Sequence, residues 1–403
     1  MANRDPVAGK SLWHEETDGF PTGKLNRDLR TDVLIVGAGI TGSLVAESLS
    51  AIGREVTVID RHPPGSGSTA ASTSLLLFEI DKPLVLLADK IGKEKAARVW
   101  QRSCRAMRNL TKKVRALGIE CDYRERDALL LPGKILGPSG LRRECEARVA
   151  LGFPSRIAER EELLREFGID RPCAILSGNS AESHPVKMAL GILRQAVSNG
   201  AKVFSPVDAK TIAANEKRVV VTAKSGQRIS ADFVVLCCGF DLPKFLSAKR
   251  HQIVSTWAAA TKPQPENLWR SRALIWNAAN PYFYIRTTPD GRVVIGGEDE
   301  RHNDNDRRDR RIPAKIEIFR SKLARLMPRI DFGVEYAWSG AFGASETGLP
   351  VIGNVPGMPR VCAVLGFGGN GTTYAQVAAE MIANALNGKP EPDIDLFAFG
   401  ENG

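Results

Sequence analysis

The chain has 403 residues, 43% of them hydrophobic and 25% charged, which is enough to bury a large core in two or three domains. Its formal net charge of +10 at pH 7 suits an anionic partner, but the densest basic run, residues 301–311, is interleaved with aspartates, so we expect no nucleic-acid binding. Seven cysteines without a CxxC pair or a Cys/His cluster, and no apolar run that could span a bilayer, predict a cytoplasmic chain without a metal site or a transmembrane segment.

A glycine-rich turn follows the first apolar strand of the chain. Residues 33–36 are continuously apolar, as expected of a strand in a parallel sheet, and Gly37, Gly39 and Gly42 then complete the pattern G-x-G-x-x-G. A helix follows, and a second strand ends at Asp60, whose carboxylate is placed to accept hydrogen bonds from an adenosine ribose. Because all these features lie within about 30 residues, the segment predicts a dinucleotide site, although it does not distinguish NAD from FAD.

The middle of the chain changes from helical to strand-like patterns. Residues 98–117 have the interrupted apolar spacing of a surface helix, and residues 185–199 predict a helix that is followed by a strand at Lys202–Phe204. Six strand-like segments follow, and a Thr-Pro-Asp-Gly turn at residues 288–291 predicts a hairpin between the last two. Parallel βαβ segments therefore enclose an antiparallel middle, which predicts an α/β cofactor domain interrupted by an α+β domain.

A second glycine-rich turn lies near the C-terminus. Residues 361–382, VCAVLGFGGNGTTYAQVAAEMI, have the pattern of an apolar strand, a glycine turn and a helix. Such a turn at the start of a helix can hold an anion. The residues alone leave open whether it is a binding site or a plain strand–helix connection.

The order of these segments resembles the FAD-dependent oxidoreductases of the D-amino-acid oxidase superfamily, and within it the glycine oxidase, sarcosine oxidase and γ-glutamylputrescine oxidoreductase group. The resemblance implies an α/β FAD-binding Rossmann-like domain with an inserted α+β substrate domain built on a largely antiparallel sheet. We expect the FAD-binding domain to comprise residues 1–82, 183–240 and 343–403, and the substrate domain residues 83–182 and 241–342. The segments that carry the resemblance are SLWHEE, VLIVGAGITG, GSTAASTSLLL, HPVKMALGILRQAVSNGAKV, ADFVVLCCG, YFYIRTTPDGRVVIGG, GLPVIG and GFGGNGTTYAQVAAEMI.

The resemblance implies that one extended FAD molecule contacts both glycine turns. The first turn would hold the pyrophosphate, and the second would face the isoalloxazine ring, where the positive end of the helix favours negative charge on reduced flavin. Gly340 stands where sarcosine oxidase has its flavin-linking cysteine, and residues 65–77 contain no histidine, so we expect non-covalent FAD. The implied FAD contacts are Gly37, Gly39, Ile40, Thr41, Gly42, Asp60, Arg61, Ser68, Thr69, Thr73, Ser74, Leu75, Val207, Gly239, Gly368, Gly369, Asn370, Gly371 and Thr372.

The implied chemistry is hydride transfer from a C–H beside an amine nitrogen to flavin N5. The substrate would be a small amine or amino acid, and the electron acceptor oxygen, a quinone or a carrier protein. Two carboxylate-binding residues of the superfamily have no counterpart, because Phe342 replaces an arginine and Thr373 replaces a lysine. Oxidation of a 2-hydroxy acid and a non-catalytic flavoprotein subunit stay open as alternatives, and an NAD-dependent dehydrogenase is the weakest of them.

Three residues are candidates for catalysis. Tyr282, Tyr284 and Arg286 alternate on one face of a predicted strand, so Tyr284 could form a pocket wall and Arg286 could replace the missing carboxylate-binding residues. His251 is the histidine closest to the predicted pocket strands and a candidate base. Ordinary strand packing, a salt bridge and a structural histidine are the respective alternatives.

Acidic residues beside the predicted flavin-contacting segments are candidates for substrate binding. Glu79, Asp81 and Glu346 could attract a cationic amine, with Phe342 beside them. Surface charge, or helix capping by Asp81, is the alternative interpretation.

Overall fold

The computed structural model describes residues 7–13, 19–241 and 252–399 as two sheets with flanking helices. In chain order the strands are β1 (Val7–Lys10), β2 (Leu29–Val36), β3 (Val56–Ile59), β4 (Leu75–Leu76), β5 (Arg124–Leu131), β6 (Ser155–Glu159), β7 (Cys173–Glu182), β8 (Lys202–Phe204), β9 (Ala209–Ala214), β10 (Val219–Ala223), β11 (Arg228–Leu236), β12 (Gln252–Thr261), β13 (Leu274–Asn277), β14 (Phe283–Thr287), β15 (Val293–Glu300), β16 (Val334–Ala344), β17 (Val351–Asn354) and β18 (Val361–Leu365). The helices are α1 (Ile40–Ser50), α2 (Ser68–Ala71), α3 (Leu84–Ile91), α4 (Lys93–Ala116), α5 (Pro138–Ala150), α6 (Arg160–Glu162), α7 (Pro185–Ser198), α8 (Asn305–Arg310), α9 (Ile312–Leu326), α10 (Gly371–Leu386) and α11 (Ile394–Phe397), with a π-helical turn at Leu163–Phe167 and a 3-10 turn at Pro265–Asn267.

The sheet that carries both glycine turns has the strand order β17-β18-β11-β2-β3-β8. Strands β18, β11, β2, β3 and β8 pair in parallel, whereas β17 and the β9–β10 hairpin pair antiparallel, so the sheet is mixed. One face packs on α1, α7 and α10, and the other face is covered by the hairpin. The predicted βαβ unit at residues 31–60 and the predicted helix at 185–199 are confirmed as β2-α1-β3 and α7.

The larger sheet has the strand order β1-β16-β12-β15-β14-β13-β5-β7-β4, with β6 on β7. Its pairings are antiparallel except for that of β13 with β5, so this sheet is mixed as well. The hairpin predicted at residues 288–291 joins β14 and β15. Helix α9 packs on one face through Phe319 and Leu323.

The chain passes repeatedly between the two sheets. Strands β2–β3, β8–β11 and β17–β18 belong to the first sheet, and the strands between them belong to the larger one. The domain boundaries stay a prediction, because β1 and β4 fall within residues 1–82 yet pair with the larger sheet. Within the described ranges, no helix combines the length and apolar character needed to cross a bilayer.

Candidate functional site

A cavity of about 450 Å³ extends from the first glycine turn to the second. Gly37 and Gly39 line it at one side and Gly368–Gly371 at another, and strands of the larger sheet contribute Tyr282 and Tyr284. The chain therefore brings its two glycine turns, more than three hundred residues apart in sequence, to one cavity.

The glycines of the first turn are required by close contacts. A Cβ at Gly37, whose φ is +114°, would lie 2.3 Å from the carbonyl oxygen of Cys237, and a Cβ at Gly42 would lie 1.8 Å from the carbonyl oxygen of Gly37. Gly42 itself does not line the cavity, so it packs the helix on the strand. Gly39 borders the cavity, and a Cβ there would meet only Thr69 Oγ1, at 3.1 Å.

Asp60 lies at the end of β3, where the sequence predicts a ribose-binding acid. Its carboxylate accepts hydrogen bonds from the N–H groups of Ala38 (2.7 Å) and His62 (2.8 Å). Burial raises the pKa of Asp60, and these two hydrogen bonds oppose the rise. Arg61 forms an ion pair with Asp241, and both line this end of the cavity. Val207 and Gly239, the predicted neighbours of the adenine half, line the cavity as well.

The serine- and threonine-rich segment after β3 forms a wall of the cavity. Ser68 donates a hydrogen bond to the carbonyl of Ala341 in β16 (3.2 Å), which ties this segment to the larger sheet. Ser74 has a left-handed backbone conformation, with φ of 57°, and its hydroxyl lies 2.8 Å from that of Ser183. All five residues predicted here line the cavity, namely Ser68, Thr69, Thr73, Ser74 and Leu75.

The second glycine turn is fixed to the segment before α3. Gly369 donates its N–H to the carboxylate of Asp81 (2.7 Å), and a Cβ at Gly368, whose φ is +58°, would lie 2.5 Å from an oxygen of that carboxylate. Asn370 accepts the N–H of Asp81 (3.1 Å) and donates to the carbonyl of Glu79 (2.7 Å). The carboxylate of Asp81 therefore lies in the wall of the cavity, where burial raises the pKa of Asp81.

The Glu79 carboxylate is part of a buried ion cluster. Arg148 donates to Glu79 and, at 2.8 Å, to Glu144, and Ser177 donates to Glu79 at 3.1 Å. Burial raises the pKa of Glu79, whereas Arg148 opposes the rise. Glu79 contributes to the cavity lining, but one of its carboxylate oxygens is engaged in this cluster.

Arg286 lies outside the cavity lining. Its buried guanidinium donates to the backbone carbonyls of Thr73 (3.1 Å), Ser74 (2.9 Å) and Ser183 (2.8 Å), and burial lowers the pKa of Arg286. It therefore supports the Ser/Thr segment from within the protein, whereas Tyr284, two residues earlier, lines the cavity.

Of the remaining substrate candidates in the described residues, one lines the cavity and one does not. Phe342 lines the cavity from β16. Glu346 does not line it, since its side chain is 65% exposed and its carbonyl accepts a hydrogen bond from Lys90 (2.9 Å). The prediction for His251 lies outside the described residues.

The structure adds residues that the sequence analysis did not select. Trp276 and Thr256 line the cavity beside Tyr282 and Tyr284, and Asp299 lies next to Thr256 and Tyr282. Tyr282 and Tyr284 both line the cavity, in agreement with the shared strand face predicted for them. Nothing in the sequence pattern indicated Trp276 or Asp299, since each reaches this face through pairing with another strand.

The residues of the cavity fit an FAD molecule. Helices α1 and α10 begin at the two glycine turns. The N–H of Ile40, the first residue of α1, donates to Thr69 Oγ1 (3.0 Å), and Asn370 does not cap α10 with its side chain. N–H groups at such helix starts suit the pyrophosphate at one turn and the electron-rich edge of the flavin at the other. The cavity connects the two positions, as one extended dinucleotide requires.

Comparison with known proteins gives the same assignment. The model of the family described as DAO, FAD dependent oxidoreductase, matches residues 32–385. Gamma-glutamylputrescine oxidoreductase of Escherichia coli is 24% identical over 389 residues, which cover 94% of this chain and 88% of the relative. The structures of glycine oxidase from Geobacillus kaustophilus (TM-score 0.77, 20% identity, 93% of this chain and 100% of that one) and iminodiacetate oxidase from a Chelativorans species (TM-score 0.70, 23% identity, 91% and 98%) share the fold. The chain belongs to the DAO family of FAD-dependent oxidoreductases, and FAD is the cofactor of the enzyme.

Proposed function

We propose that the enzyme oxidises the C–N bond of an amine or amino acid. FAD, when bound, accepts the hydride, with its two electrons, from the carbon beside the nitrogen. The amine must be neutral at that moment, so that the nitrogen lone pair forms the C=N bond of an imine, which water then hydrolyses. The observation that supports this proposal is the cavity itself, which joins both glycine turns to a wall of aromatic and hydroxyl side chains.

We propose that the protein binds FAD through the contacts predicted from the sequence. The turn at Gly37 and Gly39 and the start of α1 would hold the pyrophosphate, and Asp60 the ribose. The Ser/Thr segment and the start of α10 at Gly371 would hold the flavin half. The lining includes these residues and leaves out Gly42, for which a packing role is supported instead.

The relatives support a nitrogen-containing substrate. They are named for γ-glutamylputrescine, glycine and iminodiacetate, each of which contains an amine or amide nitrogen. We further propose non-covalent FAD, and a cytoplasmic location on the ground that the seven cysteines are free thiols. The acceptor that reoxidises FAD would be oxygen, or a quinone or carrier protein.

A flavin spectrum followed by anaerobic titration tests the proposal. We expect visible flavin bands that move into the supernatant on acid precipitation, and bleaching of these bands by members of an amine and amino-acid panel. Oxygen uptake measured beside dye reduction would then identify the acceptor.

Two results would contradict the proposal. Bleaching by 2-hydroxy acids alone would assign the enzyme to C–O oxidation. Failure of every small substrate, together with copurification of a second chain, would assign it to the non-catalytic subunits.

A further inference from the structure

Three aromatic side chains form one wall of the cavity. Trp276 in β13 pairs across the strands with Tyr284 in β14, so the two side chains share a face of the sheet. Tyr282 precedes Tyr284 by two residues, and their ring centroids are 5.9 Å apart. All three line the cavity, which therefore presents aromatic rings from two neighbouring strands.

Two carboxylates flank this aromatic wall. Asp81 lines the cavity, where it accepts the N–H of Gly369. Asp299 lies next to the hydroxyl of Tyr282, and it reaches that position through a β-bulge: Glu298 has φ of 57°, and the register of β12 against β15 shifts there. Both carboxylates raise the pKa of Tyr282, so both lie near its hydroxyl; Asp81 belongs to the described cavity lining, whereas Asp299 lies beside Tyr282 outside that lining.

Buried polar groups at this end lack partners among the described residues. The indole N–H of Trp276, a residue that is 8% exposed, has none. Oδ1 of Asp299 likewise shows no hydrogen bond within the described part of the chain. Since buried polar groups are nearly always paired in folded proteins, these groups indicate that a ligand completes this end of the cavity.

The cations of the cavity lining lie elsewhere. The basic side chains of the described lining are Arg61, His62 and Lys210. They belong to the part of the lining that the first sheet contributes, together with Asp60. Lys315 lies near Asp299, but it donates to the carbonyl of Glu298 and pairs with Glu300 at 2.9 Å. A substrate carboxylate at the aromatic wall would therefore meet the carboxylate of Asp81, with the charge of Asp299 beside Tyr282, and no free basic side chain of the described lining.

We propose that Trp276, Tyr282, Tyr284 and Asp81 form an ammonium subsite, which binds an alkylated ammonium group of the substrate, and that Asp299 adds negative charge from its position beside Tyr282. Aromatic faces attract cations, and they suit alkylated ammonium in particular because its charge is spread and its hydration weak. The flanking carboxylates add direct electrostatic attraction. This inference rests on the proposed function and narrows it: the substrate is a secondary or tertiary amine without a carboxylate on the reacting carbon. It binds as its ammonium ion, and the N–H proton passes to water before the hydride leaves, so that the reacting amine is neutral at that step.

Three ligands of similar size and different charge test the subsite. The FAD-loaded enzyme is titrated with tetramethylammonium, tert-butanol and trimethylacetate at constant ionic strength, and binding is read from the flavin absorbance. Tetramethylammonium has no nitrogen lone pair, so it binds without being oxidised. We expect it to bind about tenfold or more tightly than tert-butanol, a difference of about 1.4 kcal/mol, and trimethylacetate to bind most weakly.

The ligand order decides the inference independently of turnover. Equal binding of the three ligands, or tightest binding of trimethylacetate, would overturn the ammonium subsite while leaving amine oxidation intact. Failure of the proposed function would show instead as absence of bleaching by any amine, whatever the ligand order.

Two variants assign the effect to residues. Asp299→Asn and Trp276→Leu should each weaken tetramethylammonium binding about tenfold and leave tert-butanol binding unchanged. Glu317→Gln is the control, because it also replaces a carboxylate by an amide, on α9 at a side chain that is 68% exposed. It should change neither the tetramethylammonium affinity nor the tert-butanol affinity. An Asp299→Asn enzyme that binds tetramethylammonium like the Glu317→Gln enzyme would remove Asp299 from the subsite. Should either variant fail to fold, the order of the three ligands on the unmodified enzyme still decides.

Discussion

At the scale of single residues, Asp299 shows how a buried carboxyl can acquire a titration near neutrality. Burial raises the pKa of Asp299 to about 7, and the nearby hydroxyls of Thr256 and Tyr282 oppose the rise. The charged groups around it act in both directions: Asp81 raises the pKa, and Lys315 lowers it. A carboxyl with this pKa is largely neutral at pH 6 and largely charged at pH 8.

The titration of Asp299 predicts a pH dependence of cation binding. Tetramethylammonium keeps its charge at every pH, so a change in its affinity reports on the protein. We expect its affinity to increase several-fold from pH 6 to pH 8, because Asp299 loses its proton over that range. The same absorbance titration on the Asp299→Asn enzyme should give a flat profile, and an equally steep profile in that variant would contradict the assignment. Tyr282 and Tyr284 do not contribute, since burial raises the pKa of both.

Gly42 offers a second test at the residue scale. A Cβ at this position would lie 1.8 Å from a backbone oxygen, so Gly42→Ala must displace α1 from β2. We expect the free energy of unfolding to fall by about 1–3 kcal/mol and the FAD content per chain to be lower. Urea unfolding and the flavin absorbance per chain measure the two effects.

Gly19→Ala is the matched substitution, because no heavy atom of the described residues lies within 4 Å of its added Cβ. It should leave both quantities unchanged. Equal behaviour of the two variants would show that close packing at Gly42 is not what maintains the turn.

At the scale of elements, a buried ion cluster joins α5 to the segment that leads into α3. Glu144 accepts the N–H groups of Leu84 (2.8 Å) and Val85 (2.9 Å), so it caps the start of α3. Arg148 lies between Glu144 and Glu79, and all three side chains are fully buried. Because Asp81 and Asn370 are attached to the same segment, this cluster holds the second glycine turn in place.

Removal of the cation should destabilise the protein strongly. Arg148→Met leaves two buried carboxylates without their partner, which we expect to cost about 3–5 kcal/mol in the free energy of unfolding. Without Arg148 the pKa of Glu79 rises further, so the folded state binds more protons than the unfolded state, and stability falls as the pH rises. The loss should therefore be smaller at pH 5 than at pH 8, as urea unfolding at the two pH values would show.

Arg142 provides the comparison on the same helix. Its ion pair with Glu159 is about half exposed on both sides, so Arg142→Met should change the free energy of unfolding far less than Arg148→Met. A similar loss in both variants would contradict the role assigned to burial.

At the scale of the whole molecule, FAD bound in the cavity would contact residues of both sheets. The cavity lining comes from β2, β11 and α10 on the first sheet and from β12, β14 and β16 on the larger one. A ligand that contacts both sheets in the folded state, and neither in the unfolded chain, stabilises the fold as a unit.

Addition of FAD should therefore raise the thermal stability of the whole chain. At a free FAD concentration about 100 times its Kd, we expect about 2.7 kcal/mol of additional free energy of unfolding. Thermal unfolding of the FAD-depleted protein, with and without added FAD, measures the shift in Tm. Added FMN, which lacks the adenosine half, should have a smaller effect, and equal effects would contradict a cofactor that spans both turns.

The sequence by itself determined the features that depend on local spacing. The βαβ unit around Gly37, the helix of α7, the hairpin between β14 and β15 and the shared face of Tyr282 and Tyr284 follow from hydrophobic period and turn residues a few positions apart. Only the tertiary structure decided which charged side chains reach the cavity. The guanidinium of Arg286 donates to four backbone carbonyls and Glu346 remains exposed, whereas Asp81 is held at the second glycine turn. Those outcomes depend on contacts between segments that are distant in sequence, and a β-bulge or a cross-strand pair redirects a side chain in ways that the local pattern does not encode.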